Sequence, residues 1–118
     1  MAIYRDLDVY QRSFSNMLSV YSFTKDLPHY LQYDVGQDVR RAARSVPSNI
    51  CEGYSRKKSA RDVANFLRTA LGSNDEVLFN LDVLISLKVI SHNDYLKLHE
   101  ECTIVGKQIT KLLKTINL

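Results

Sequence analysis

Between residues 40 and 68 the chain sets eight cations, Arg40, Arg41, Arg44, Arg56, Lys57, Lys58, Arg61 and Arg68, against two acids, Glu52 and Asp62. That segment carries a net +6, whereas the whole chain totals +3. Charge this polarised creates a local potential for polyanions that the total charge would not reveal. Guanidinium forks and ammonium groups suit phosphate oxygens, and Tyr54, in the same segment, is placed to stack on a base. Arg61 and Arg68 stand seven residues apart, about two helical turns, so they share one face, and the arginines of the preceding helix can face them across a groove. A structural alternative stays open for Arg41 and Arg44, since either can pair with Glu52, Asp75 or Glu76 of the same or a neighbouring subunit.

Catalysis finds less support. His29, His92 and His99 lack a carboxylate or cysteine at the spacing of a triad or metal site. Asp75 and Glu76 are adjacent and project about 100° apart on a helix, which separates them as an acid and base pair. No serine sits in a nucleophile elbow and no glycine-rich phosphate loop opens a helix. Cys51 and Cys102 stand alone, without a CxxC partner, and read as small, reduced packing residues rather than zinc ligands or a disulfide framework. The expectation is a binding protein, not an enzyme, with no metal or cofactor.

These groups must be positioned by a chain of 118 residues, 45% hydrophobic, with four glycines and two prolines. This is enough for one domain over residues 1–118, and the scarcity of Gly and Pro favours helices. No apolar run approaches the roughly 20 residues of a membrane helix, and the N-terminus lacks a basic region followed by an apolar stretch, so a cytoplasmic location without membrane contact is expected. Helical periodicity marks four segments. The first, from about Leu7 to Asp26, turns Leu7, Tyr10, Phe14, Met17, Leu18 and Tyr21 inward and ends before Pro28. The second starts near Asp34 as N-cap, buries Val35, Val39, Ala42, Ala43, Val46 and Ile50, and stops at Gly53. The third, from about Ser59 to Lys88, carries Val63, Leu67, Ala70, Leu71, Val77, Leu78, Leu81, Leu84 and Ile85. The fourth opens at Asn93 and repeats Tyr95, Leu98, Cys102, Val105, Ile109, Leu112 and Ile116. Short connections between long amphipathic helices predict an all-α, antiparallel, up-down four-helix bundle.

Two features complicate that pattern. Val9, Val20 and Phe23 on the first helix, and Phe79, Val83 and Ile90 along the third, point away from the predicted stripes. Apolar residues aligned on an outer face predict a second buried surface, hence a homo-oligomer. Pro47 lies inside the second helix, where it deletes a backbone hydrogen bond and crowds the Ala43 carbonyl at a cost of about 3 kcal/mol. A kink near Pro47 is expected, with Ser45 and Ser48 satisfying freed carbonyls.

The run RRAARSVPSNICEGYSRKK, with LDVYQRS before it and FLRTALGSNDEV after it, resembles the bacterial four-helix-bundle proteins encoded in intervening sequences of 23S rRNA genes. That family includes the accessory variability determinants of diversity-generating retroelements. Arg40, Arg41, Ser45, Pro47, Asn49, Ile50, Glu52 and Gly53 carry the hallmark, and Ser73 with Glu76 the S-x-x-E element. The resemblance implies a homopentamer, a basic surface that engages nucleic acid, RNA foremost, and, through the retroelement relatives, a reverse transcriptase as a possible partner. It also implies that Asn49 and Glu52 hold the second helix against its neighbours. The chain departs from the family pattern at Cys51, where alanine is usual, and at Asn74, an amide on the core line that must find hydrogen-bond partners.

Overall fold

Ser59 and Ser91 start the two C-terminal helices in the same way. Each sits in extended backbone and accepts a hydrogen bond at its side chain from the amide three residues on, Asp62 at 3.0 Å and Asp94 at 3.1 Å. That satisfies one of the donors a helix start leaves open, and the aspartate in each first turn favours the dipole. The fourth helix therefore begins at His92, capped by Ser91, and not at Asn93. In the computed structural model, residues 3–56 and 58–116 are described, and all regular structure among them is helical. A 3-10 turn, Ile3–Asp6, leads into α1 (Asp8–Thr24), α2 (Val35–Arg56), α3 (Ala60–Ser86) and α4 (His92–Thr115), with a second 3-10 turn, His29–Leu31, between α1 and α2.

Each helix packs on its sequence neighbours and α4 closes back on α1, giving an up-down four-helix bundle of 44 × 22 × 21 Å. Its antiparallel sense is visible in the core. One end gathers Val20 of α1, Val35 and Val39 of α2, Leu81 and Leu84 of α3, and Leu98 of α4. The other gathers Val9, Val46, Ile50, Leu67, Val105 and Ile109. Each fully buried aliphatic side chain contributes about 1.5–3 kcal/mol of transfer free energy.

The α3 to α4 turn is a Schellman closure. The Val89 amide donates to the Leu84 carbonyl (3.2 Å) and the Lys88 amide to the Ile85 carbonyl (3.0 Å), with Lys88 at φ 61°. Lysine occupies a left-handed position usually given to glycine, and α3 accordingly ends at Ser86, two residues before the predicted stop. Gly53 is not a stop either. α2 continues through it to Arg56, and the glycine is buried where a Cβ would lie 3.0 Å from Phe66 Cβ. Its role is close approach between α2 and α3. Pro47 is buried inside an uninterrupted α2. Ser45 does not turn back on the freed carbonyls. Its hydroxyl pairs with that of Ser73 on α3 at 2.7 Å, while the Asn49 amide donates to the Ser45 carbonyl (2.8 Å) and hydroxyl (2.9 Å). The link between helices thus runs through Ser45 and Ser73. Among the described residues Glu52 pairs with Arg56 of its own helix alone, at 3.8 Å.

α1 is rotated relative to the sequence expectation. Val9, Ser13, Asn16, Val20 and Thr24 face the core, whereas Phe14, Leu18 and Tyr21 are exposed. Val9 and Val20 are therefore core residues, not an outer interface. Ile90 is buried too, and Phe23 and Val83 are half-buried against the same core. Of the six residues expected on an outer interface, Phe79 alone is exposed, at 66%. The polar residues on the buried face of α1 explain the inversion. Ser13 and Thr24 donate to the Tyr10 and Val20 carbonyls, and the Asn16 amide reaches Cys102 Sγ, so each finds a partner within the protein. Asn74 is likewise satisfied, donating to the Cys102 carbonyl at 2.8 Å beside Gly106, whose missing side chain leaves it room. Burial pushes the Cys102 thiol up to about 12, which keeps it protonated as a packing residue.

Candidate nucleic-acid interface

The spacing of Gln37, Arg41, Arg44 and Ser48, three or four residues apart, brings all four onto the outward face of α2, where all four are exposed. Together with Arg40, Ser45 and Tyr21 of α1 they line an open groove of about 540 Å³. The three arginines differ in their commitments. Arg40 is half-buried and donates to the Gln32 carbonyl (2.7 Å) and to Gln32 Oε1 (3.3 Å). Gln32 in turn donates its amide to the Thr24 and Leu27 carbonyls at 2.8 and 3.0 Å, closing the end of α1. Arg40 is thus a structural clamp as much as a surface cation. Arg41 lies 3.7 Å from Asp38 in an exposed pair one turn back on α2, a contact that solvent and salt leave weak. Among the described residues no carboxylate lies within ion-pair distance of Arg44. Within the chain neither arginine pairs with Glu52, Asp75 or Glu76.

The remaining predicted contacts collect elsewhere. Arg56, Lys58 and Arg61 are exposed around the α2 to α3 turn, about 18 Å along α2 from Arg44. Lys57 lies outside the described residues. Arg56 spans Glu52 and the Phe66 ring, 5.6 Å from its centroid, and Arg68 leans on Asn65 at 3.1 Å. Two cationic patches therefore replace the single facing row expected from the sequence. Tyr54 does not serve either patch as an open stacking surface: its ring packs on the core cluster around Ile50, and burial raises its phenol above the usual range.

Two features escaped the sequence reading. Tyr21 was assigned to the core stripe, yet it stands 43% exposed beside the arginines. A row of lysines, Lys107, Lys111 and Lys114, lies along a second groove of about 590 Å³ between α3 and α4, whose floor is Leu71, Leu78, Cys102 and Gly106 and whose opposite wall carries Asp75. Their i, i+4, i+7 spacing was a readable signal of a shared face. The histidines do other work: His29 sits edge-on to Tyr33, His99 packs against Tyr95, and His92 opens α4. No helix among the described residues is long and apolar enough to cross a membrane.

Comparison with known proteins agrees with this architecture. The profile of the family described as "23S rRNA-intervening sequence protein" matches residues 5–111. A crystal structure of a protein of unknown function from the S23 ribosomal protein family, from Bacteroides thetaiotaomicron VPI-5482, superposes with a TM-score of 0.83. That chain is 23% identical, and the match covers 91% of the present chain and 96% of the other. At that identity the likeness concerns the fold. No curated protein matches the sequence.

Proposed function

The chain belongs to the 23S rRNA-intervening sequence protein family, and from that premise we propose that it is a non-catalytic, self-associating bundle that binds nucleic acid, RNA foremost, through phosphate contacts on the arginine face of α2. The observation that carries this reading is the outward row of Arg41 and Arg44, one weakly paired and the other without a carboxylate partner, beside an Arg40 already fixed by Gln32. Guanidinium groups left this open can meet phosphate oxygens in fork geometry without breaking a strong internal contact. Assembly, five copies by resemblance, repeats the face around a symmetry axis and turns modest single-site affinity into avidity. Phe79, exposed on the outer ridge of α3, supports the assembly.

The experiment is a salt titration of RNA binding. Arg41→Ala with Arg44→Ala should lower affinity about tenfold or more, as expected for charge-assisted contacts, and reduce the slope of log affinity against log salt by about 2. An unchanged slope would remove this face from the contact. A second reading, a scaffold for a protein partner such as a reverse transcriptase, is favoured by the apolar floor of the α3/α4 groove with its lysine rim. In that case the α2 variants bind RNA as the parent does.

A further inference from the structure

We infer that the α1/α2 groove takes single-stranded rather than duplex nucleic acid, with phosphates on Arg41 and Arg44 and a base stacked on Tyr21. This rests on the proposal that the α2 arginine face binds nucleic acid, and deepens it. The groove has two unlike walls. On α2 stand the cations. On α1 stands Tyr21, 43% exposed, and Leu18 and Phe14, 55% and 39% exposed, continue its line along the helix at three- and four-residue steps beyond the lining of the groove. Phe14 lies two turns, about 10.5 Å, back along α1 with its ring against Tyr10, so Tyr21 is the ring that the groove itself offers.

An exposed ring immediately beside a cationic row is an arrangement that suits an unpaired strand. The groove tracks the backbone while ring faces take the bases, and stacking is tolerant of sequence because every base has a π-face. In a duplex those faces are already covered by neighbouring base pairs, so the α1 ring would gain nothing. Phosphate contacts alone would not distinguish the two forms. The helix end that carries Tyr21 is held by the Gln32 amide on the Thr24 carbonyl and by Arg40 on Gln32. The carboxylate at this groove is Asp38, and it is occupied with Arg41 until a phosphate displaces it.

The test uses the full chain, fluorescence anisotropy, and two probes: labelled oligouridine, and the same strand annealed to oligoadenine. The parent protein should bind the single strand more tightly than the duplex. Tyr21→Ala should weaken single-strand binding about tenfold or more, leave duplex binding and the salt slope unchanged, and keep the parental melting temperature to confirm folding. Tyr21→Phe should restore the single-strand affinity. Equal affinity for both probes, or an indifferent Tyr21→Ala with binding intact, overturns the single-strand inference while nucleic-acid binding stands. Parental binding by the Arg41→Ala, Arg44→Ala protein overturns both.

Discussion

The two long grooves of this bundle are built from the same materials to different ends. Between α1 and α2 the cations are arginines, one of them locked to a loop, and the neighbouring wall offers the exposed ring of Tyr21. Between α3 and α4 the cations are lysines on one rim, the floor is apolar, and an acid stands across from them. Arginine with few degrees of freedom left is a directional phosphate reader, whereas a lysine is a mobile point charge on a flexible stem. The contrast shows that net charge alone does not make a site. The type of cation and its surroundings do, and here Gln32 holds Arg40 at the α1 to α2 connection while Arg41 and Arg44 stay open to a ligand.

The largest expected effect is on the outer ridge of α3, beside the lysine groove. Phe79→Asp places a carboxylate on the surface proposed to be covered by a second copy, and burying it without a partner is costly. Sedimentation should show lone, folded chains for this variant and a larger particle for the parent. The same large mass in both would separate Phe79 from assembly.

Next comes a matched pair of glycine substitutions, one at the edge of each groove. A Cβ at Gly36 would stand 2.8 Å from the Leu31 carbonyl oxygen, which belongs to the backbone of the clamped loop and cannot move aside cheaply. Gly36→Ala should cost about 1–3 kcal/mol in chemical denaturation, as overpacking does. At Gly106 the nearest atom is the side-chain nitrogen of Asn74 at 3.3 Å, which can shift a few tenths of an ångström, and alanine gains about 1 kcal/mol of helix propensity. Gly106→Ala should therefore lose less than half as much. Equal losses would mean that the two grooves are equally rigid.

The smallest effect lies on the seam between α4 and α1. Asp8 accepts from Arg12 at 2.7 Å and from Gln108 at 2.6 Å, and these hydrogen bonds hold its carboxyl below the ordinary aspartate value of 3.8. Because the folded value is the lower one, the contribution is complete above the unfolded value and is lost as pH falls through the folded one. The group is exposed, so the change is slight. Melting temperature followed downward from about pH 5 should fall more steeply for the parent than for Asp8→Asn; parallel curves would place the acid sensitivity elsewhere.

Much of this was legible from particular residues. Asp34, Ser59 and the three- and four-residue steps of α2, α3 and α4 located those helices to within a few residues, since helix signals are local. The same stepping put Gln37, Arg44, Ser48 and Cys51 outward with Arg40 and Arg41 flanking them; the structure exposes Gln37, Arg44 and Ser48 together with Arg41 and leaves Arg40 and Cys51 half-buried. α1 was misread because three of its large apolar or aromatic side chains, Phe14, Leu18 and Tyr21, lie outside, while Ser13, Asn16 and Thr24 lie inside with Val9 and Val20. Hydrophobicity ranks a residue by its transfer cost from water. It does not register that a buried hydroxyl or amide can meet a carbonyl within one turn, or a thiol on another helix.

By itself, then, the sequence determined that the chain is a bundle of four helices and that its cations concentrate in and around α2. Periodicity, caps and charge are read along the chain, within a few residues of each position. Only the tertiary structure decided which side of α1 faces inward, that Arg40 is given to Gln32, that Tyr54 is packed while Tyr21 is open, and that a second, lysine-rimmed groove runs between α3 and α4. Those outcomes depend on partners far apart in sequence, such as Asn16 and Cys102 or Ser45 and Ser73, whose contacts exist only once the helices have packed.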